Sequence, residues 1–107
     1  MTTFDEYQAR AMQAPVSLRN DRDRINLPVL GLQEEAGRIG SLLAAAFASG
    51  RLELTATQRE ELKNRLADVL WYVASLCGET GSSIQDVAAH SIAQLQARMR
   101  DLDVDQR

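Results

Sequence analysis

Apolar positions along this chain recur every three or four residues and almost never in strict alternation, which is the period of helices with one buried face. The first such stretch runs from about Thr3 to Met12, sets Phe4, Tyr7 and Ala11 on one side, and ends at Pro15. Val16 to Arg24 is polar with mixed charge and reads as a connecting loop. A second helix is expected to open with Asn26 as its cap and Pro28 in its first turn, where a missing amide donor costs little. It should run to about Ala48, before Gly50, along a seam of Leu32, Ala36, Ile39, Leu43 and Ala46.

The third helix carries a capping-box pattern at Thr57 and Glu60, a seam of Leu62, Leu66, Val69, Val73 and Leu76, and a stop between Gly78 and Gly81. Ser82 or Ser83 can cap the fourth, whose apolar positions are Ile84, Ala88, Ile92, Leu95, Met99 and Leu102. Asp103 to Arg107 are expected to fray. Residues 1–107 thus read as one all-α domain, an antiparallel bundle with short joints. Leu70, Trp71, Ala74 and Cys77 widen the apolar face of the third helix beyond what a small monomer covers. A homo-oligomer, dimer or tetramer, is expected to complete the bundle.

Composition agrees with helices: fifteen Ala and fourteen Leu stand against two Phe, two Tyr and one Trp. A net charge of −3 and a pI near 5.1 argue against a nucleic-acid binder, which carries a basic face. Cys77 has no partner for an internal disulfide, and the amino terminus lacks the basic and apolar segments of a secretion signal. No apolar run approaches the roughly 20 residues that span a bilayer. A cytoplasmic protein is expected.

The chemistry lies in charges placed where a core should be. With the second helix projected at about 100 degrees per residue, Glu35 falls inside the apolar arc, Arg38 on its edge and Glu34 further out. On the third helix Arg65 and Asp68 flank the seam, so facing seams would set Glu35 and Arg38 against Arg65 and Asp68. One reading is structural: ion pairs of Glu35 with Arg65, or of Arg38 with Asp68, fix helix register. Gly37 and Gly40 lower helix propensity and point to close approach of a backbone or a ligand.

The segment Gly31-Leu-Gln-Glu-Glu-Ala-Gly-Arg38, followed some thirty residues on by Leu66-Ala-Asp-Val-Leu-Trp-Tyr-Val73, resembles the MazG-like all-α nucleoside triphosphate pyrophosphohydrolases. The resemblance covers nearly the whole chain, from the first helix to the closing Ser91-Ile-Ala-Gln-Leu segment. It implies a site in which Glu-Glu-x-x-Glu on one helix and Glu-x-x-Asp on the next hold Mg2+, while water splits a nucleoside triphosphate into monophosphate and pyrophosphate. Hard oxygen ligands on one helical face suit that ion.

Glu34, Glu35 and Asp68 match the implied metal ligands, but Arg38 and Arg65 stand where two of the glutamates belong. A guanidinium stays protonated and cannot ligate a metal, so the clamp is degenerate. Glu61, one turn before Arg65, is the available substitute donor. Ser91 and Gln94 stand where the family commonly places an Asn and a Lys near the nucleotide. Each exchange of Glu for Arg adds two charges, so two exchanges match the charge of two magnesium ions.

Three outcomes follow. The arginines pair internally, leaving a non-catalytic interaction or regulatory bundle; they bind nucleotide phosphates directly; or a displaced metal supports residual hydrolysis. Trp71 and Tyr72 are either core aromatics or a platform for a base. His90 and Cys77, each alone of its kind, cannot form a zinc set, and no base stands near Ser82 or Ser83 to activate a nucleophile.

Overall fold

The computed structural model describes residues 2–13, 23–50 and 53–105, and these form four helices with no strand among them. They are α1 (Phe4–Gln13), α2 (Asp23–Ala48), α3 (Ala56–Glu79) and α4 (Ile84–Asp105). Local chemistry sets most of the ends. At α1 the Thr3 hydroxyl accepts from the Glu6 amide at 3.1 Å, and the Glu6 carboxylate accepts in return from the Thr3 amide at 3.4 Å. Ser83 caps α4, its hydroxyl accepting from the Asp86 amide at 3.1 Å, as one of the two expected serines.

Two starts differ from expectation. α2 begins at Asp23, so Asn26 lies inside the helix and does not cap it, and Pro28 sits beyond the first turn. No breaker separates Asp23 from Asn26, Asp23 suits the positive end of the helix dipole, and the proline ring is fully buried. The expected loop over Val16–Arg24 therefore ends before Asp23, and its remaining residues, with Pro15, lie outside those described. At α3 the box is formed by Thr55 and Gln58, not by Thr57 and Glu60. Both pairs fit the spacing, but Ala56 is a strong helix former and nothing halts the helix before Thr55.

The stops fall where glycine permits them. α2 closes with Gly50 at φ +79° and α3 with Gly81 at φ +77°, both left-handed and open to glycine without strain. Ser82 donates its amide to the Cys77 carbonyl at 2.7 Å across the second turn. α4 continues through Asp103 to Asp105, and residues 106–107 lie outside those described.

α2 packs antiparallel along α3, since Gly31 meets Tyr72 while Glu35 meets Arg65. α1 lies across α3 and α4, and its Gln8 clamps the α3–α4 turn: the side-chain amide donates to the Ser82 carbonyl at 3.1 Å while its oxygen accepts from the Ile84 amide at 2.9 Å. Under that clamp sits a small core of Ala11, Ala74, Cys77 and Ile84, flanked by Tyr7, Trp71 and Val73.

The seams are less covered than the spacing implies. Ala36 and Leu66 are exposed, and α2 buries Pro28, Gly31, Glu35 and Ala46 instead. On α4 only Ile84 is buried, while Ile92, Leu95, Met99 and Leu102 are exposed. The close-approach glycines are also others. A Cβ on Gly37 or Gly40 would meet open space, whereas one on Gly31 would overlap the Tyr72 ring and one on Gly78 the Met12 side chain. No helix among the described residues is long and apolar enough to cross a membrane.

Candidate functional site

Glu35 is the centre of the candidate site. It is 4% exposed, in the middle of the α2 face that packs on α3, and its carboxylate is held from two sides. Arg65 of α3 reaches across with Nη1, which donates to Oε1 at 3.3 Å and to Oε2 at 3.4 Å. Arg38, one turn along α2, donates from Nη1 to Oε1 at 3.3 Å. Its other terminal nitrogen pairs with Glu34. The four residues form a chain of alternating charge, Glu34, Arg38, Glu35 and Arg65, that crosses from one helix to the other.

The Glu35–Arg65 pair is the one that facing seams lead one to expect. The pair of Arg38 with Asp68 is not formed among the described residues. Arg38 turns back along its own helix, where Glu34 and Glu35 lie four and three residues away and within reach without crossing the interface. Asp68 belongs to a different neighbourhood. Its negative charge, second to burial, pushes the Tyr7 and Tyr72 phenols above their ordinary value of 10.0. Tyr72 also feels Glu35 and Glu34, partly offset by Arg38.

Beside the ion-pair chain opens a cleft of about 660 Å³ lined by Glu34, Gly37, Arg38, Ser41, Leu42, Glu61 and Arg65. The open space above Gly37 is part of this cleft. Glu61, the substitute donor considered on sequence grounds, lines it together with Arg65. Its charged lining carries two acids and two bases, so it presents no excess of positive charge. Arg65 Nε is buried and has no hydrogen-bond partner among the described residues.

The other sequence candidates are not gathered here. Trp71 packs against the core under α1, its indole nitrogen donating to the Ala11 carbonyl at 3.4 Å. Tyr72 stacks on Trp71 with ring centroids 5.3 Å apart and covers Gly31. Ser91 and Gln94 are exposed on α4 and do not line the cleft. Two residues that the sequence reading missed are Ser41 and Gln8. Ser41 lies one turn beyond Gly37 on the arginine side of α2, and that spacing was the available signal.

The donor set does not fit a magnesium ion. Among the described residues no group of three or more His, Cys, Asp or Glu side chains could hold a metal. Both oxygens of Glu35 already accept from Arg65, and each guanidinium would repel a cation placed between the helices.

No protein-family model matches this chain, and neither does any solved structure. The Gene 37 protein of Mycobacterium phage L5 is similar to it, at 30% identity over 69 residues, which is 64% of this chain and 60% of that protein. The match therefore spans less than two thirds of the relative's length.

Proposed function

We propose that this chain is a MazG-like helical protein that has given up metal-dependent hydrolysis and acts as a cytoplasmic interaction or regulatory bundle assembled from copies of itself. The observation that carries this reading is the state of Glu35. A carboxylate buried in a helix interface needs compensation, and here Arg65 and Arg38 supply it where a cation would otherwise be required. Glu34, Glu35 and Asp68 are then structural acids, and the release of pyrophosphate from a nucleoside triphosphate is weak or lost.

A second reading, direct binding of nucleotide phosphates by Arg38 and Arg65, is favoured by the orphaned Arg65 Nε next to an open cleft. The bundle reading stands ahead of it, because both guanidiniums already have carboxylate partners and the lining charges cancel.

The test is a thermal-shift titration with nucleoside di- and triphosphates, with and without magnesium, paired with an assay for released pyrophosphate. The expected result is no stabilisation and no pyrophosphate under either condition. Stabilisation without magnesium supports arginine-based phosphate binding. Stabilisation or turnover that needs magnesium sinks the proposal.

A further inference from the structure

α1 is ten residues long, shorter than a helix that is stable by itself in water, so it stays helical only while it is docked. Its hold on the rest of the chain can be followed residue by residue. Gln8 clamps the α3–α4 turn, the Ala11 carbonyl accepts from the Trp71 indole, and Ala11 and Tyr7 pack in and against the core. A further anchor is Met12. Its side chain lies over Gly78 of α3: a Cβ built there would stand 2.5 Å from Sδ and 2.7 Å from Cε, so the thioether fills the place a side chain would take.

This anchor differs from the others in its chemistry. Met12 is 39% exposed although its end is seated on α3, so a small oxidant reaches it from solvent. Next to the seat is Cys77, buried in the core with Ala74 and Ala11. The amides of α3 around Gly78 are already used within the helix, so an oxygen added to the sulfur finds no donor in its seat and is drawn to water. Met99 carries the same thioether, but it lies on a stretch of α4 that buries no described residue.

We propose that Met12 is an oxidant-sensitive latch: conversion of its thioether to the sulfoxide by a hydroperoxide releases α1 from α3 and opens the core around Cys77 to solvent. In that step a sulfur lone pair attacks one oxygen of hydrogen peroxide, and the S–O bond forms as the O–O bond breaks. The departing hydroxide takes the proton left on the transferred oxygen and becomes water. The thioether is oxidised by two electrons and the peroxide is reduced by two. A flexible apolar side chain thereby becomes a polar one, and sulfoxide reductases reverse the change, so the latch can close again. It uses no residue of the Glu35 cleft and stands apart from the reading of that site.

The test treats the full chain with hydrogen peroxide, removes the excess with catalase, and reads the product in three ways. Peptide mass spectrometry follows the Met12 sulfoxide, the emission of the single tryptophan follows the contact of Trp71 with α1, and a thiol reagent follows access to Cys77. As the Met12 sulfoxide accumulates, Trp71 emission should move to longer wavelength and Cys77 labelling should quicken by about tenfold or more. Met99→Leu should respond as the unmodified protein does. Met12→Leu, which keeps the apolar bulk without the sulfur, should respond in neither readout. If Met12→Leu does not fold, enzymatic reduction of the sulfoxide in the unmodified protein decides, and it should restore both readouts. A Met12 that resists peroxide, a sulfoxide that moves neither readout, or an equal response in Met12→Leu overturns the proposal.

Discussion

Tyr72 shows how much one residue of this chain joins together. Its ring covers Gly31, which is why α2 and α3 come so close there, and it stacks on Trp71, which ties α3 to α1. Burial first, then Asp68 and the glutamates, raise its phenol pKa, and burial followed by Asp68 does the same to Tyr7. A group whose folded pKa lies above its unfolded value lends stability that is whole below the unfolded value, near 10.0, and is lost as pH rises through the folded one. Thermal stability should therefore fall above about pH 10. In Tyr72→Phe that alkaline loss should be shallower, as melting curves between pH 8 and 11 would reveal; an unchanged slope would mean that Tyr72 plays no part in it.

Between elements, the ion-pair chain separates two kinds of contact that look alike in sequence. Arg65 joins α3 to a buried acid on α2, whereas Arg38 stays on its own helix with half of its side chain in solvent. Removing Arg65 leaves Glu35 with one partner, Arg38, at the same 3.3 Å but half exposed and so more screened by solvent. Arg65→Ala should cost about 2–3 kcal/mol, below the full value of a buried pair because Arg65 is itself partly exposed. Arg38→Ala should cost less than about 1 kcal/mol. Urea unfolding at one fixed protein concentration checks both, and equal shifts of the midpoint would argue against this division.

The helix starts teach a related lesson at the same scale. Spacing alone admitted both Thr55–Gln58 and Thr57–Glu60 as boxes, and only the extension of the helix through Ala56 chose between them. Asn26 was displaced in the same way, because a good cap residue is passed over when the chain before it can also be helical.

For the molecule as a whole, order should be uneven. The turn clamped by Gln8 and the core around Ala74 hold α1, α3 and the start of α4, while α4 buries no described residue after Ile84. Amides of α4 beyond Ile92 should exchange with solvent faster than those around Ala74, which should exchange slowest. Hydrogen exchange measures this. Protection of the outer half of α4 equal to that around Ala74 would overturn this expectation.

Periodicity, glycine and hydroxyl caps by themselves determined that the described residues form four helices, where α2 and α3 stop, that Ser82 or Ser83 caps α4, and that Glu35 lies in an apolar face. These are local properties, fixed by backbone sterics and by side chains three or four residues apart. Tertiary structure alone decided the rest. It chose Gly31 and Gly78 over Gly37 and Gly40 as the points of close approach, paired Arg38 with its own helix, gave Asp68 to the tyrosines, and left the outer half of α4 uncovered. Each of these depends on how far the helices rotate and how closely they approach, and a repeat of three or four residues encodes a face but not its neighbour.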